Sequence, residues 1–291
     1  MMNSIFSPPT AQTMEHDVQA YKPSWPKDRL ANSANPLLEK LATFVRFDER
    51  DVKAISSLTR RQRPYVARDT IVFQDSRQSA VQVILSGAAY RCRHLPNGQR
   101  QILGYLFAGD LCDANFVISN ECDYDLIILT DALVAQIPLN ELMDVLAAHP
   151  KIERSMLMAT LVDARISREW LVNVGQRDGL QRLAHFFCEM AARLQTLGAA
   201  NTDGSITIPV TQSELADTLG MTTVHVNRVL QRLRSEGLLV WKSRRLTILH
   251  PALLEQLAGF DRRYLELSAP PFARGIIARG RGVAREFIID C

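Results

Sequence analysis

The amino-acid sequence predicts an α+β chain with a strand-rich first half, a long central helix and a second half of short helices. Three observations carry this prediction. Short runs with a period near two lie between Asp69 and Pro138, as expected for half-buried strands. Lys151–Val174 keeps a helical period without Gly or Pro, and two short helical runs then flank Gly220.

Composition places the chain among ordinary globular proteins. Its 291 residues suggest two domains, and 47% hydrophobic with 22% charged residues is enough to form buried cores. The net charge of +3 is small, but it is unevenly distributed. Val66–Pro150 holds 5 Lys or Arg against 10 Asp or Glu, whereas Thr211–Ile248 holds 6 against 3. The second region is therefore the one expected to meet a polyanion.

The sequence gives no sign of export or of membrane insertion. The first residues lack a basic start followed by an apolar core, and no apolar run approaches 18 residues. The five cysteines, Cys92, Cys112, Cys122, Cys188 and Cys291, are scattered and odd in number. We therefore expect reduced thiols, a cytoplasmic location and no membrane partner.

The strand-rich half begins after a proline-containing segment and a helix over Asn35–Phe47. Turn residues separate the strand candidates, and Asn97-Gly98 predicts a tight hairpin because Asn-Gly accepts positive φ. A helix over Asn140–Ala148 is expected to end at His149-Pro150. The strand candidates are TIVFQ, VQVILSG, AYRCRHL, RQILGYLF and DALVAQIP.

The long central helix has two possible roles. An apolar seam recurs at helical spacing, with Asp163 as an interruption. The seam can pack on its own domain, or it can pair two chains, with the polar residue setting the register. The region that follows favours the dimer. The expected dimer residues are Ile152, Met156, Ala159, Asp163, Ile166 and Trp170.

The most informative stretch is TQSELADTLGMTTVHVNRVLQRLRSEGLL. Thr211 and Glu214 have the spacing of a capping box, Gly220 supplies a tight turn, and Thr222 can cap a second helix that ends near Ser235. This is the spacing of a helix-turn-helix. The alternative is an ordinary helical hairpin in a core. The caps, the glycine and the basic outer face together favour DNA binding.

The outer face of the second helix suits the major groove. Arg228 can make a bidentate contact to guanine, Asn227 or Gln231 can pair with adenine, and Val224 can pack on a thymine methyl. Arg234 is placed for phosphate, and the basic turn after Val240 resembles the tip of a two-stranded wing. The candidate DNA-binding residues are Thr211, Thr222, Thr223, Val224, His225, Asn227, Arg228, Gln231, Arg232, Lys242, Arg244 and Arg245.

On this stretch, on LPNGQRQILGYLFAGDLCD and on the long helix after His149-Pro150, the chain resembles the Crp/Fnr superfamily of bacterial transcription regulators. The resemblance implies an N-terminal β-roll of the cyclic-nucleotide-binding-domain type, a long dimerisation helix and a C-terminal winged helix-turn-helix. It implies a homodimer on a near-palindromic DNA site, with RNA polymerase as a further partner. The expected parts are a weakly ordered segment 1–34, a sensor domain 35–150, a dimerisation helix 151–176, a DNA-binding domain 177–261 and a tail 262–291.

The chain departs from the family's effector motifs. Where cyclic-AMP-binding members carry Gly-Glu it has Asp113-Ala114, and near their Arg-Ser it has Cys122-Asp123. The arginine that would neutralise a cyclic phosphate is missing, so we expect no cyclic-AMP binding. No cysteine precedes Cys92, which argues against the family's iron–sulfur cluster. His94 is a conceivable haem ligand, and Cys112, Asp113 and Cys122 are a conceivable metal set, but neither has paired ligand spacing.

We therefore expect no catalytic residue, no metal and no cofactor. An enzyme of the cupin type fused to a DNA module is the alternative, but such enzymes need several histidines, and only His94 lies in the strand-rich block before His149. Three modes of control stay open: a thiol switch at Cys92, Cys112, Cys122 or Cys188, a small apolar ligand in the roll, or no ligand. The basic tail 268–291 lies outside the resemblance.

Overall fold

The computed structural model of the protein describes residues 35–112 and 121–266. Its helices are α1 (Pro36–Ala42), α2 (Glu49–Leu58), α3 (Leu139–Ala148), α4 (Pro150–Gln176), α5 (Gly179–Thr196), α6 (Gln212–Leu219), α7 (Thr223–Ser235) and α8 (Pro251–Ala258). Its strands are β1 (Gln62–Tyr65), β2 (Thr70–Val72), β3 (Ala80–His94), β4 (Arg100–Phe107), β5 (Asp125–Pro138), β6 (Ile206–Thr207), β7 (Leu239–Lys242) and β8 (Arg245–Ile248), and a 3₁₀ helix spans Arg262–Leu265.

The sensor domain is built on one antiparallel sheet in the order β1-β5-β3-β4, with β2 also paired to β5. The sequence predicts two strands over VQVILSG and AYRCRHL, but they form the single 15-residue strand β3. Gly87 lies within β3 at φ +82°, and the register with β5 shifts between Ser86 and Ala88. A bulge, rather than a turn, is therefore what the glycine supplies.

This bulge changes which face each residue of β3 presents. Before it, Ile84 points into the core inside the roll, and Val83 points toward the helices. After it, Ala89 points into the roll, and Tyr90 faces the helices of the second half of the chain. A shift of one residue reverses the faces of a strand, so a single strand contributes to three hydrophobic clusters.

The helices around the sheet differ in part from the sequence prediction. α1 ends at Ala42 rather than Phe47, and α2 and β1 were not predicted. The start of α2 carries a capping box in which Asp48 accepts from the backbone of Asp51 and the Asp51 side chain accepts from the backbone of Asp48. Its short apolar stripe, with Ile55 and Leu58 buried, is too brief to show a clear helical period.

The second half folds around α5, which is buried along most of its length. On one side α5 meets α7 and α8, and on the other its core joins residues of β3 and β4. Phe187, at the centre of this core, is completely buried. Within the two described ranges, no helix combines the length and hydropathy needed to cross a bilayer.

Candidate nucleic-acid interface

The two-helix unit α6–α7 has the caps that the sequence predicts. The Thr211 hydroxyl accepts from the Glu214 backbone N–H at 3.2 Å, and the Glu214 carboxylate accepts from the Thr211 backbone N–H at 2.7 Å. Gly220 ends α6 in the left-handed region at φ +60°. The Thr222 hydroxyl then accepts from the His225 backbone N–H, which starts α7. These local bonds fix the turn and hence the angle between the helices.

The two faces of α7 differ sharply. Val226, Val229, Leu230 and Leu233 are buried in the domain core. The opposite face presents exposed residues, and Val224 is 78% exposed. Among the described residues, the exposed Arg228 has no acidic partner. The exposed residues of this outer face are Thr223, Val224, Asn227, Arg228 and Gln231.

Several other predicted contact residues have partners within the chain. Thr211 is occupied by its capping box with Glu214. The ring of His225 is half-buried against Gly179, where an added Cβ would lie 2.7 Å from its Nε2 atom. Arg232 forms an exposed ion pair with Glu236 at 2.8 Å. The Arg234 guanidinium, which the sequence places against phosphate, donates to the Trp241 carbonyl.

The predicted wing is a hairpin of β7 and β8. Its two-residue loop, Ser243-Arg244, has positive φ at both positions, +50° and +65°, as in a type I′ turn. Lys242, Arg244 and Arg245 are exposed around this tip, and Arg245 lies 3.3 Å from the Asp203 carboxylate. The tip lies within the basic turn that the sequence predicts, Lys242-Ser243-Arg244-Arg245, although non-glycine residues seldom adopt this conformation.

The first helix of the pair is anchored to the sensor domain. Arg100 on β4 donates to the Asp217 carboxylate at 2.6 and 2.9 Å. The buried Tyr105 hydroxyl lies 2.8 Å from Thr218 Oγ1, which itself donates to the Glu214 carbonyl. Burial is the main reason that the pKa of Tyr105 lies above its usual value. α6 is therefore held against β4 by buried and half-buried polar contacts.

The residues of the predicted dimer seam on α4 have contacts within their own chain. Ile152 is fully buried among the sensor-domain residues Leu37 and Leu142, and Met156 and Ala159 pack against the same cluster. The face that carries them therefore packs within the chain.

The rest of that seam also finds partners in the same chain. The Asp163 carboxylate accepts from the Arg91 guanidinium at 2.8 Å. Ile166 packs beside the 3₁₀ helix, and the Trp170 indole N–H donates to Glu189. Apolar residues lie on two sides of α4, so the helical period alone could not decide which side is exposed.

The outer face of α4 carries a second apolar series that the sequence reasoning missed. Leu157, Leu161 and Leu171 are all exposed, and Ala164 lies between them. These positions are separated by four, three and seven residues, which is the spacing of the contact positions along a helix that pairs with another helix in a coiled coil. We call Leu157, Leu161, Ala164 and Leu171 the outer stripe.

A cavity of about 600 Å³ lies between the sheet and α4. Arg91 points into it from β3, but its guanidinium is engaged by Asp163 and by the Leu111 carbonyl and lies over the Tyr124 ring. Much of the remaining lining is apolar, including Leu142, Leu146, Met156 and Leu157.

Asp110 is partly buried at the edge of this cavity. Burial raises its pKa, but the nearby Lys40 and Arg193 outweigh this effect and lower the pKa overall. Asp113, which the sequence places in the same neighbourhood, lies outside the described residues.

The four described cysteines are all buried. Burial raises the pKa of the Cys92 thiol to about 12, and it does the same for Cys188. Little thiolate then forms at neutral pH at these two positions, which disfavours oxidation there. Cys112 Sγ lies 3.0 Å from the Tyr124 hydroxyl.

Comparison with known families and proteins agrees with this geometry. The Crp-like helix-turn-helix domain family matches residues 181–257, and the cyclic nucleotide-binding domain family matches residues 62–149. A probable transcriptional activator of Rhizobium leguminosarum bv. viciae is 29% identical over 58% of this chain and 69% of its own length. The transcriptional activator protein FnrL of Cereibacter sphaeroides is 25% identical over 76% of this chain and 89% of its own.

Among solved structures, FixK2 from Bradyrhizobium japonicum superposes with a TM-score of 0.61 and 20% identity. The match covers 69% of this chain and 98% of that one, and it shows a shared fold.

A helix-turn-helix with an exposed outer face, joined through a long helix to a cyclic-nucleotide-binding-type domain, defines a class of DNA-binding regulators. The chain belongs to the Crp/Fnr superfamily of transcription regulators. The similar proteins are transcriptional activators, and the alternative of a cupin-like enzyme receives no support.

Proposed function

We propose that the protein is a homodimer that reads a near-palindromic DNA site with α7. One observation carries this proposal. The inner face of α7 is buried, while its outer face leaves Val224, Asn227, Arg228 and Gln231 exposed. A solvated helix face would carry mainly Glu and Lys, whereas this set matches the hydrogen-bonding and methyl groups of base edges.

Each exposed group has a distinct role in this proposal. Arg228 supplies a bidentate contact to guanine, Asn227 or Gln231 contacts adenine, and Val224 packs on a thymine methyl. Thr222 and Thr223 contact phosphates or bases, and the remaining basic residues contact phosphates, which position the protein without reading sequence. These basic residues are Arg232, Lys242, Arg244 and Arg245.

Thr211 and His225 receive smaller roles than the sequence suggested. The Thr211 side chain is engaged by Glu214, and the His225 ring packs on α5. We assign both to holding the two-helix unit in place.

We propose that the two chains pair through the outer stripe. Its leucines are exposed in one chain, and they run along the helix that follows the sensor domain. A two-fold axis along α4 would bury each stripe against its copy. The two copies of α7 would then address two half-sites about one helical turn apart.

We also propose that the sensor domain does not bind cyclic AMP. Of the described residues, four basic ones line the cavity, namely Lys40, Arg91, Arg154 and Arg193. Asp163 already neutralises Arg91, and Asp110 pairs with both Lys40 and Arg193. The apolar lining suits a small apolar ligand better than a phosphate. A calorimetric titration of the purified protein with cyclic AMP should show no heat of binding, and micromolar binding would contradict this part of the proposal.

RNA polymerase is the further partner that we propose, because the similar proteins are transcriptional activators. A regulator that activates from a site beside the promoter needs a second surface for the polymerase. In vitro transcription with and without the protein on the selected site would show the sign of regulation.

Binding-site selection tests the proposed function. The full-length protein is incubated with random duplex DNA at a stated salt concentration and without an effector. We expect an inverted repeat with half-site centres roughly 10 base pairs apart. Recovery of sequence-independent, salt-sensitive complexes alone would contradict the proposal for the effector-free protein.

A further inference from the structure

Three metal-ligating side chains meet near the end of β3, and the buried one, Cys92, lies on the same face as Tyr90. They are Cys92 and His94 of β3 and Asp125 of β5. Cys92 pairs directly with Asp125 in the strand register, and His94 lies two residues along the same face. The cysteine sulfur, a histidine ring nitrogen and a carboxylate oxygen all lie within 4.8 Å of one another.

The donor types match the preferences of a particular ion. Thiolate, imidazole and carboxylate together are ligands for Zn²⁺, whereas Ca²⁺ and Mg²⁺ take oxygen ligands. Tetrahedral zinc holds each ligand atom about 2.0–2.3 Å from the metal. Two ligand atoms of one ion are therefore less than twice that distance apart, which is close to the separations between the three ligand atoms here. Three protein ligands leave a fourth position for water or another group.

The charges around the three side chains also favour a divalent cation. With Cys92 ionised, the thiolate, Asp125 and Asp217 contribute three negative charges that act on this position, and Arg100 contributes one positive charge. Arg100 is engaged by Asp217 and the Tyr90 hydroxyl. Arg100 and Asp217 therefore offset each other, and the Asp125 carboxylate lies beside Cys92 and His94 to attract a cation.

The frame that holds the ligands is rigid. Two of them come from adjacent positions of one face of β3, and the third comes from its hydrogen-bonded neighbour strand. The backbone N–H of Gln74 donates to Asp125 Oδ1 at 2.7 Å, which leaves Asp125 Oδ2 directed at His94 Nδ1 at 2.8 Å. Such outer contacts orient the ligands of metal sites.

We propose that Cys92, His94 and Asp125 form a binding site for Zn²⁺ in the sensor domain.

Binding requires two local changes. The ion replaces the hydrogen bond between His94 and Asp125, and the Cys92 thiol loses its proton to the buffer. Burial raises the pKa of Cys92 to about 12, so proton release opposes binding, and affinity increases with pH. Cys92 is fully buried, but His94 is exposed and opens the route from solvent.

Cobalt titration tests the site without any DNA. Full-length protein stripped with a chelator is titrated with Co²⁺, whose thiolate complexes give a near-ultraviolet charge-transfer band. We expect one equivalent of Co²⁺ to produce this band and one equivalent of Zn²⁺ to abolish it. The result does not depend on sequence-specific DNA binding, so the two proposals can fail separately.

Variants assign the band to its ligands. Cys92→Ser should abolish it, and His94→Gln, at an exposed position, should weaken Co²⁺ binding at least tenfold while the far-ultraviolet circular dichroism stays unchanged. Cys188→Ser is the matched control, because Cys188 is also buried with a raised pKa. A protein without the band, a band kept in Cys92→Ser, or equal affinity in His94→Gln would overturn the assignment.

Discussion

Arg228 lies on the exposed face of α7 with Val224 one turn before it and Gln231 one turn after it. Because no acidic group in the described chain pairs with it, its guanidinium is free to meet a base edge. We expect Arg228→Ala to weaken binding to the selected site by about 1–3 kcal/mol, roughly 5- to 150-fold. Fluorescence anisotropy at fixed salt measures this change.

The control for Arg228 is an exposed arginine of the sensor domain. Arg46→Ala removes the same charge at an exposed position outside the DNA-binding domain. It should leave affinity for the selected site within twofold of the parent protein. Equal losses in both variants would indicate a general charge effect and contradict base readout by Arg228.

His185 is a buried residue of α5 with a pH-dependent effect on stability. Burial, and then the positive charge of Arg177, lowers the pKa of His185 to about 3. Glu169 lies 3.3 Å from its ring, but that carboxylate is engaged by Arg177. Between pH 6.5 and about 3, the unfolded chain binds a proton that the folded protein excludes. The free energy of unfolding therefore decreases as the pH falls through this range, by at most about 1.4 kcal/mol per unit.

His185→Gln should reduce that slope, because the variant has no imidazole to protonate when it unfolds. Glu189, whose pKa burial raises, acts in the opposite direction but is present in both proteins. Urea unfolding at pH 7.5, 6.0 and 5.0 measures the difference, with His250→Gln, at an exposed position, as the control. Parallel pH profiles for the parent protein and His185→Gln would contradict the assignment.

At the scale of the element, the sequence predicts the helix caps and the glycine turn, but it does not predict which face of α4 is buried. The caps of α6 and α7 and the left-handed Gly220 follow from residue types in the short stretch between Thr211 and Thr222. The apolar faces of α4 are a different case. One face of the helix packs on its own sensor domain, and the outer stripe is exposed. The position of the sensor domain, rather than the helical period, decides which of the two faces is buried.

The metal-ligating set shows the same limit at longer range. Cys92 and Asp125 are 33 positions apart, and the register of β3 with β5 brings them together. A period-two pattern predicts two strands, but it does not predict which residues become neighbours when a bulge shifts the register. Gly87, at a position where the sequence predicts a turn, lies at the middle one of three register shifts, which occur at Ile84/Ser86, Ser86/Ala88 and Ala88/Ala89.

Gly87 and Gly98 form a matched pair for testing whether the bulge requires glycine. Both have positive φ, at +82° and +81°, so an alanine side chain is strained at either position by about 1–2 kcal/mol. At Gly98 the added Cβ meets nothing within 4 Å, whereas at Gly87 it would lie 2.3 Å from the Asp131 carbonyl oxygen. We expect Gly87→Ala to cost at least about 3 kcal/mol of unfolding free energy, and Gly98→Ala only the backbone strain.

Chemical denaturation of both variants measures this difference. A cost for Gly87→Ala no larger than that for Gly98→Ala would show that the strand pair accommodates the side chain. The bulge would then not require glycine.

At the scale of the whole molecule, several contacts join the sensor domain to the DNA-binding surface, and Arg193 of α5, which donates to Asp110 and to the Tyr105 carbonyl, makes one of them. Two others run through α6 and α4. One is the docking of α6 on β4, through Arg100 with Asp217 and Tyr105 with Thr218. The other is α4, which packs on the sensor core at its start and on α5 near its end. A change in the sensor domain therefore has physical routes to the position of α7, and these run through buried or half-buried contacts.

The same architecture makes the dimer prediction specific. If the outer stripe pairs two chains, Leu161 meets its partner's copy near the two-fold axis, and each change is present twice. Loss of two buried leucines removes roughly 3–6 kcal/mol, and the carboxylates that replace them repel each other. Leu161→Asp should therefore weaken dimerisation by at least about 100-fold, with a parallel loss of affinity for the inverted repeat.

Sedimentation velocity over a concentration series measures dimerisation, and anisotropy measures binding to the repeat. Leu253→Asp on α8 is the control, because Leu253 is 55% exposed in the chain and Leu161 is 56% exposed. An equally exposed helical leucine outside the outer stripe should leave the dimer intact. If Leu161→Asp stays dimeric while Ile152→Ala dissociates, the inner face of α4 pairs the chains and the outer stripe has another partner.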